Sequence, residues 1–482
     1  MTAVRASGAP VDGAAAGARS IDAFHLPGLP AAAPAEWEVL SVPGTDLVVR
    51  VPVLEPDHID RVCERLAAAR AERLPDGDAR GVAAVLARSA RRMRRAASEE
   101  ANRAAIAGLA GLSAPMVDRI LDGMAAGWSE ESLTGLLTAE FGEPSVPHRF
   151  APDPARPGIR TRAVAPDVAF HVFAGNVPGV AVTSMIRSLL VGSAVIGKTA
   201  REGPLLPALF ARALQQEDPA LAQCLAVTWW PGGSARLETR VLERAKLAVV
   251  YGGADAVRAV RSLAPASTRV VVHGPGVSMG LILKGALTAA NAARLAGDAA
   301  LAIATFDQRG CTSPVALIVE EGGEMSPARF AAALGEELDR LAVILPAGAP
   351  APAAAARRRQ VLDAAELRGE AAGAAAIRGT GWGIAMRTSV EPGDFCTDRV
   401  VQVVGVPDLD AALAALRPLA GSLQTVGIEA DGPPAASLAE AVAELGASRV
   451  TSIGAMPWPT PAWRHDGAHP LRELVRWADL DL

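Results

Sequence analysis

Between residues 168 and 263 the chain repeats strand, glycine turn and helix, which predicts an α/β fold whose parallel sheet carries helices on both faces. Three observations support this. Segments 168–174, 193–198, 225–230 and 247–251 are short, almost continuously apolar runs, as strands buried on both faces require. Three of them run into glycine turns: Gly175-Asn-Val-Pro-Gly179, Pro231-Gly-Gly233 and Gly252-Gly253. Each is followed by a helical pattern. In such sheets ligands bind beyond the carboxyl ends of the strands, where these turns fall.

Composition narrows the class. The chain has 482 residues, enough for two or three domains with ample core. A net charge of -5 argues against a nucleic-acid partner. The four cysteines, Cys63, Cys224, Cys311 and Cys396, lie far apart, as expected in a reducing compartment without a disulfide framework or metal cluster. No leader pattern and no stretch of eighteen apolar residues appears, so a cytoplasmic enzyme without a membrane span is expected.

In chain order, residues 1 to about 35 read as a loose leader, and 39–43 and 47–53 as short strands around a Gly-Thr-Asp turn. A mainly helical part extends to 145 and is expected to pack on the cofactor domain. Asp57 is expected to cap its first helix, and an arginine-rich helix is expected over 79–106. The Arg91-Arg-Met-Arg-Arg95 cluster suits an anion site or, more simply, a solvated helix face. Residues 146–167 hold five prolines and read as an extended arm. The alternating pattern gives one domain over 168–270 and a second over 271–445, with residues 347–356 as a surface connection. Residues 446–482 form a C-terminal return.

The second domain is organised around Phe306-Asp-Gln-Arg-Gly-Cys-Thr-Ser-Pro314, where Cys311 falls between a helical pattern and a strand pattern. A turn there exposes a thiolate and aims backbone N–H groups at a carbonyl oxygen. The succession Gly-Asn-Val-Pro, Gly-Lys-Thr-Ala, Tyr-Gly-Gly and Asp-Gln-Arg-Gly-Cys resembles the aldehyde dehydrogenase superfamily. Within it, the sequence is most similar to the acyl-CoA reductase family that includes the fatty-acid reductase of bacterial bioluminescence. Supporting segments are Trp230-Pro-Gly-Gly233, His273-Gly-Pro-Gly-Val-Ser278, Leu423-Gln-Thr-Val-Gly427 and Trp463-Arg-His-Asp-Gly467. The resemblance spans roughly residues 150–480.

It implies a Rossmann-type cofactor domain, an α/β catalytic domain and a small oligomerisation arm. It further implies attack of Cys311 on the thioester of an acyl-CoA or acyl-carrier protein, and hydride transfer from a nicotinamide to give the aldehyde. Asn176 matches the oxyanion residue; read by itself it is equally a turn residue before Pro178. Lys198 and Thr199 match the adenosine-ribose segment, and Gly233, Gly252 and Gly253 the turns that admit the cofactor. Arg201 stands where the family pattern has a glutamate, which favours NADPH over NADH. The water-activating glutamate of hydrolytic relatives has no counterpart in the stretch 269–276, which supports a reductase. His273 there is a proton donor or a polar turn residue, and Glu391 is the nearest candidate for holding the nicotinamide ribose. His465 and Asp466 lie in a tail that serves either a subunit contact or the acyl entrance. The arm and C-terminal strand imply a homodimer or homotetramer. An oxidative aldehyde dehydrogenase, an acyl-exchange enzyme without hydride transfer and a non-catalytic scaffold remain open.

Overall fold

The computed structural model describes residues 18–29, 36–74, 78–368, 376–433 and 436–481. The chain enters through β1 (Arg19–Asp22), β2 (Trp37–Ser41) and β3 (Leu47–Pro52), in the order β1-β3-β2. The loose leader expected up to residue 35 is thus partly structured, while its residues 1–17 and 30–35 lie outside the described ones. His25 exchanges both backbone hydrogen bonds with Val227 at 2.8 Å. An edge strand offers unpaired N–H and C=O groups to such a partner.

Five helices follow: α1 (Pro56–Arg73), α2 (Ala79–Ala97), α3 (Glu100–Ala110), α4 (Ala114–Ala125) and α5 (Glu130–Phe141). The cap of α1 is Glu55 rather than Asp57, with Pro56 in the first turn and the Glu55 N–H donating to His58 Nδ1 at 3.1 Å. The helix expected over 79–106 is two helices. Ser98 Oγ and Asn102 Nδ2 donate to the Arg94 and Ala96 carbonyls, capping the end of α2. Of the arginine cluster, Arg92 pairs with Glu217 at 2.8 Å and Arg94 pairs with Asp122.

The arm holds β4 (Ala151–Pro152) and β5 (Ile159–Val164). Then come β6 (Val168–Val172), α6 (Val180–Leu190), β7 (Ala194–Thr199), α7 (Leu205–Glu217), the short α8 (Pro219–Ala222), β8 (Leu225–Trp229), α9 (Ala235–Arg244), β9 (Leu247–Tyr251), α10 (Ala254–Leu263) and β10 (Arg269–His273). The strands form one parallel sheet in the order β10-β9-β6-β7-β8. Every residue of β6, β8 and β9 is buried, which accounts for their continuous apolar runs. One core joins this sheet to the N-terminal helices, through Leu86, Met93, Met116, Val195 and Phe210 among others. Cutting Met93 to Ala there would cost about 2–5 kcal/mol. The order reverses direction between β6 and β9, so a crevice opens beyond their carboxyl ends.

The second sheet is built from β11 (Val277–Ile282), α11 (Ala292–Ala304), β12 (Pro314–Glu320), α12 (Pro327–Ile344), α13 (Pro352–Arg368), β13 (Ala376–Gly379), β14 (Trp382–Arg387), β15 (Val400–Val406), α14 (Leu409–Leu416), β16 (Leu423–Glu429), α15 (Ala436–Glu444) and β17 (Arg449–Thr451). Its seven strands run β13-β14-β15-β12-β11-β16-β17, all parallel except the β13–β14 pair. Separate cores cover its two faces. The boundary expected at 270 cuts β10, which belongs whole to the first sheet, and β17 carries the second sheet past 445. Residues 352–356 begin α13 instead of continuing a surface connection. Finally β18 (Arg476–Asp481) returns antiparallel to β5, giving β18-β5-β4, so arm and C-terminal strand pair with each other within one chain.

Candidate active site

The carboxyl ends of the first sheet face the amino ends of β11, β12 and β16, and Cys311 lies at this junction. Its loop is unusual in its backbone. Phe306, Asp307 and Gln308 have φ of 62°, 49° and 59°, a left-handed conformation that costs a side-chain-bearing residue about 1–2 kcal/mol each. Tertiary contacts hold it. Phe306 lies edge-on to Trp458, with ring centroids 5.2 Å apart. The buried Asp307 carboxylate receives Arg399 Nε at 2.8 Å and the Gly348 N–H at 2.9 Å. Gln308 donates to the Pro314 carbonyl and accepts from Val400 N–H, both at 2.8 Å. The partners Asp398 and Arg399 are themselves left-handed, at φ 62°. Asp398 accepts from Arg309 at 2.6 Å, and Arg309 also donates to the Ala110 carbonyl at 2.7 Å. Gly310 must be glycine, since a Cβ there would stand 2.6 Å from the Phe306 ring.

These contacts deliver Cys311 half-buried. Its carbonyl accepts from Ser278 Oγ at 2.6 Å, and Ser278 Oγ accepts from the Thr425 N–H at 3.1 Å. Two segments singled out in the sequence, around Ser278 and Gln424, therefore meet at the cysteine. Burial pushes the thiol up to about 12, with the nearby Asp466 charge acting in the same direction. Cys63 and Cys224 are buried within the core and are also pushed up to about 12. Cys396 packs against α13.

His465 Nε2 lies 3.7 Å from Cys311 Sγ. Its ring is sandwiched, with Trp463 at 4.7 Å on one contact and His273 at 4.5 Å and 12° on the other. Tyr251 stacks beyond His273 at 4.5 Å. Burial first, and then His273, lower the His465 imidazole to about 4. Asp466 Oδ2 is 3.5 Å from His273 Nδ1 and 3.8 Å from His465 Nε2, while Oδ1 accepts from Gln424 Nε2 at 2.6 Å. Burial opposes the Asp466 charge, but His273, His465 and Gln424 bring it below the usual carboxylate range. His273, His465 and Asp466 present potential ligand atoms within 4.8 Å of one another. The near-parallel stack of the two imidazoles, however, puts any ion shared between them outside at least one of the two ring planes. A small recess behind these rings is lined by Ser184, Arg187, Tyr251, His273, His465 and His469, among others.

Asn176 is exposed in the turn after β6, and its Nδ2 donates to the Arg309 carbonyl at 2.7 Å, two residues before Cys311. Gly175 before it admits no side chain, because a Cβ would meet Glu202 and Ala200 within 2.9 Å. The structure thus brings together Cys311, Asn176 and His273. The other sequence candidates line the carboxyl ends of β7, β8 and β9. Lys198 Nζ pairs with Glu238 Oε1 at 3.1 Å, with both side chains nine-tenths buried. Arg201 is 58 % exposed, 4.0 Å from Glu38 and 5.9 Å from the Trp229 ring. Gly233 takes φ 80°, and a Cβ added at Gly233 or Gly253 would meet nothing within 4 Å. Gly253 caps α10, and the Gly252 N–H donates to the His273 carbonyl at 3.2 Å. Thr199 departs from expectation: it is buried with its hydroxyl donated to the Thr228 carbonyl, so its side chain is used within the sheet. Glu391 accepts from Ser389 at 2.8 Å in the turn before Pro392.

Sequence reasoning assigned no role to Glu238, which reaches Lys198 from a helix forty residues downstream. It left His465 and Asp466 between two locations, and the structure places them at Cys311. Trp463-Arg-His-Asp-Gly467 was the visible signal, but a tail motif carries no information about its spatial neighbour.

A doubly wound sheet with glycine turns at its switch point, joined to a second α/β unit that presents a cysteine, is the architecture of the aldehyde dehydrogenases, with a Rossmann-type domain suited to a nicotinamide nucleotide. Solved structures agree on the fold. An oxidoreductase from Marinobacter aquaeolei superposes with a TM-score of 0.73 at 13% identity, covering 95% of this chain and 97% of that one. Lactaldehyde dehydrogenase from Escherichia coli gives 0.72 at 16% identity, covering 96% and 99%. More particularly, the chain belongs to the acyl-CoA reductase (LuxC) family, whose model matches residues 78–477. Its relatives include the long-chain acyl-protein thioester reductase of Aliivibrio fischeri, 26% identical over 358 residues covering 72% of this chain and 70% of that one. The protein of the same name from Photorhabdus laumondii is 31% identical over 182 residues, covering 37% and 36%. The protein is therefore a redox enzyme of the acyl-thioester reductase type. Among the described residues no single helix is long and apolar enough to cross a membrane.

Proposed function

We propose that the protein reduces an acyl thioester to the aldehyde with NADPH, through an acyl group held on Cys311. The observation that carries this is the Cys311 loop: an overdetermined left-handed turn that sets a half-buried thiol at the junction of the two sheets, beside Asn176. One N–H of the Asn176 amide is fixed on the Arg309 carbonyl, which leaves the second for the oxyanion that forms when Cys311 attacks. The Cys311 backbone N–H is the other donor. Thiol-for-thiol exchange is nearly balanced, so transfer of the acyl group to Cys311 is close to thermoneutral.

The residues present fit a nicotinamide dinucleotide. Gly233 and Gly253 leave open space at the strand ends, and the amino end of α10 lies there to favour a pyrophosphate. Glu238 and Lys198 would hold the adenosine ribose, and Arg201 the 2′-phosphate. The reduced nicotinamide supplies the hydride. His273 lies behind His465 on the pocket side, where it supports a proton path to the forming aldehyde. No carboxylate occupies β10, which supports a reductase over an enzyme that hydrolyses its acyl intermediate. The names of the relatives support a long-chain acyl group on a protein carrier, and the family description supports acyl-CoA. The arm sheet, whose β18 has one unpaired edge, supports a homodimer or homotetramer.

The test is intact-protein mass spectrometry after mixing with acyl-CoA, coupled to NADPH oxidation. A wild-type adduct on Cys311, absent in Cys311→Ala together with all reduction, is expected. An adduct on Cys63, Cys224 or Cys396 would remove the proposal.

A further inference from the structure

We propose that His465 takes the proton of Cys311 as the thiol attacks and hands it to the departing thiolate, which makes it a catalytic residue of the acylation step. The proposal rests on Cys311 being the nucleophile. Its Sγ is 3.7 Å from His465 Nε2, within reach of a sulfur hydrogen bond. Packing by Trp463 and His273 on its ring leaves the imidazole little freedom to turn Nε2 away. Asp466 lies 3.8 Å from the same nitrogen, so a proton arriving there finds a carboxylate beside it. This differs from a hydrolase triad, where the carboxylate holds the far nitrogen. The remaining titratable groups facing the ring are His273, Tyr251 and the buried Arg187.

The need for a base follows from burial. With the thiol pushed up to about 12 and the imidazole down to about 4, the resting pair is neutral and holds almost no thiolate. The proton must leave as the new bond forms. In the step, the S–H bond of Cys311 breaks and Sγ bonds to the acyl carbon. The bond from that carbon to the donor sulfur breaks, and the proton on Nε2 passes to that sulfur. The products are the acyl-enzyme and a free thiol, with His465 neutral again.

The experiment follows acylation alone, without cofactor, by quenched mixing with hexadecanoyl-CoA and intact mass of the adduct from about pH 6 to about pH 10. His465→Ala removes the ring, whereas His465→Phe keeps the stack and removes only the proton acceptor. Both are expected to slow acylation by roughly 10²–10⁴-fold. Their rates should rise about tenfold per pH unit, because the thiol must now ionise by itself. NADPH binding, followed by fluorescence, should remain as in the wild type and reports that the fold is intact. Acylation by His465→Phe within about threefold of wild type, or a pH profile parallel to wild type, would overturn the proposal and leave His465 a packing ring. A wild-type enzyme that forms no adduct on Cys311 would instead sink the nucleophile reading, and this one with it.

Discussion

Reversing the charge of Arg201 should narrow the preference for NADPH, by an amount that the structure makes smaller than the sequence suggests. Two cations three residues apart imply two partners for a 2′-phosphate. In the fold, Lys198 is neutralised by Glu238 at 3.1 Å in a buried pair, which leaves Arg201 as the more available cation. Arg201 is more than half exposed, and Glu38 stands 4.0 Å away. A charge-assisted hydrogen bond contributes about 1.5–3 kcal/mol when sheltered, but exposed pairs fall to about 0.2–1 kcal/mol. Removing the guanidinium with Arg201→Met should therefore raise the KM for NADPH at most roughly fivefold. Arg201→Glu adds a repulsion of similar size, for roughly two- to thirtyfold in all. Glu238→Gln acts with the opposite sign on selectivity: it frees the Lys198 charge for the 2′-phosphate and weakens a ribose acceptor, so the NADPH to NADH preference should widen. The assay is the KM of NADPH and NADH for wild type and the three variants at low and high ionic strength. Salt should compress the Arg201 effect. A wild-type preference for NADH, or an Arg201→Glu variant with an unchanged ratio, would refute the reasoning.

Other outcomes follow from the nucleophile loop. Asn176→Ala should lower turnover by about 10²–10³-fold with cofactor affinity unchanged, read by steady-state rates and NADPH titration; a small effect would make it a turn residue. Alkylation of Cys311 by iodoacetamide should be slow at neutral pH and climb past pH 9 without a plateau, because burial raises the thiol to about 12. A plateau below about pH 8 would mean a resting thiolate. Arg399→Met strands the buried Asp307 carboxylate and should cost about 3–5 kcal/mol in denaturant unfolding. The double variant with Asp307→Asn should recover most of that loss, and failure to recover would show that the pair does not act as a unit.

Much of the fold was legible because strands buried on both faces announce themselves as apolar runs, as β6, β8 and β9 do. The junction of the two sheets was less legible. His273 ends a strand of the first sheet although its sequence neighbours open the second, and no local pattern marks that change. Cys311 was visible because glycine and hydroxyl residues interrupt an apolar context. The Asp307–Arg399 and Arg309–Asp398 pairs were not, since each joins residues about ninety positions apart and has no periodic signature. Glu238 shows the same limit at the cofactor end. It pairs with Lys198 from a helix forty positions downstream, and no local pattern announces that contact.

The loop that carries the nucleophile also fastens the two halves of the molecule. Arg309 reaches the carbonyl at the end of α3, and Asn176 holds the Arg309 carbonyl. Rotating one sheet away from the other would tear these bonds and drag Cys311 with them. The cleft is thus braced by the part that a hinged enzyme would have to move. Opening the cleft would cost the hydrogen bonds that set the Cys311 loop, so the nucleophile keeps its place only while the two halves stay closed.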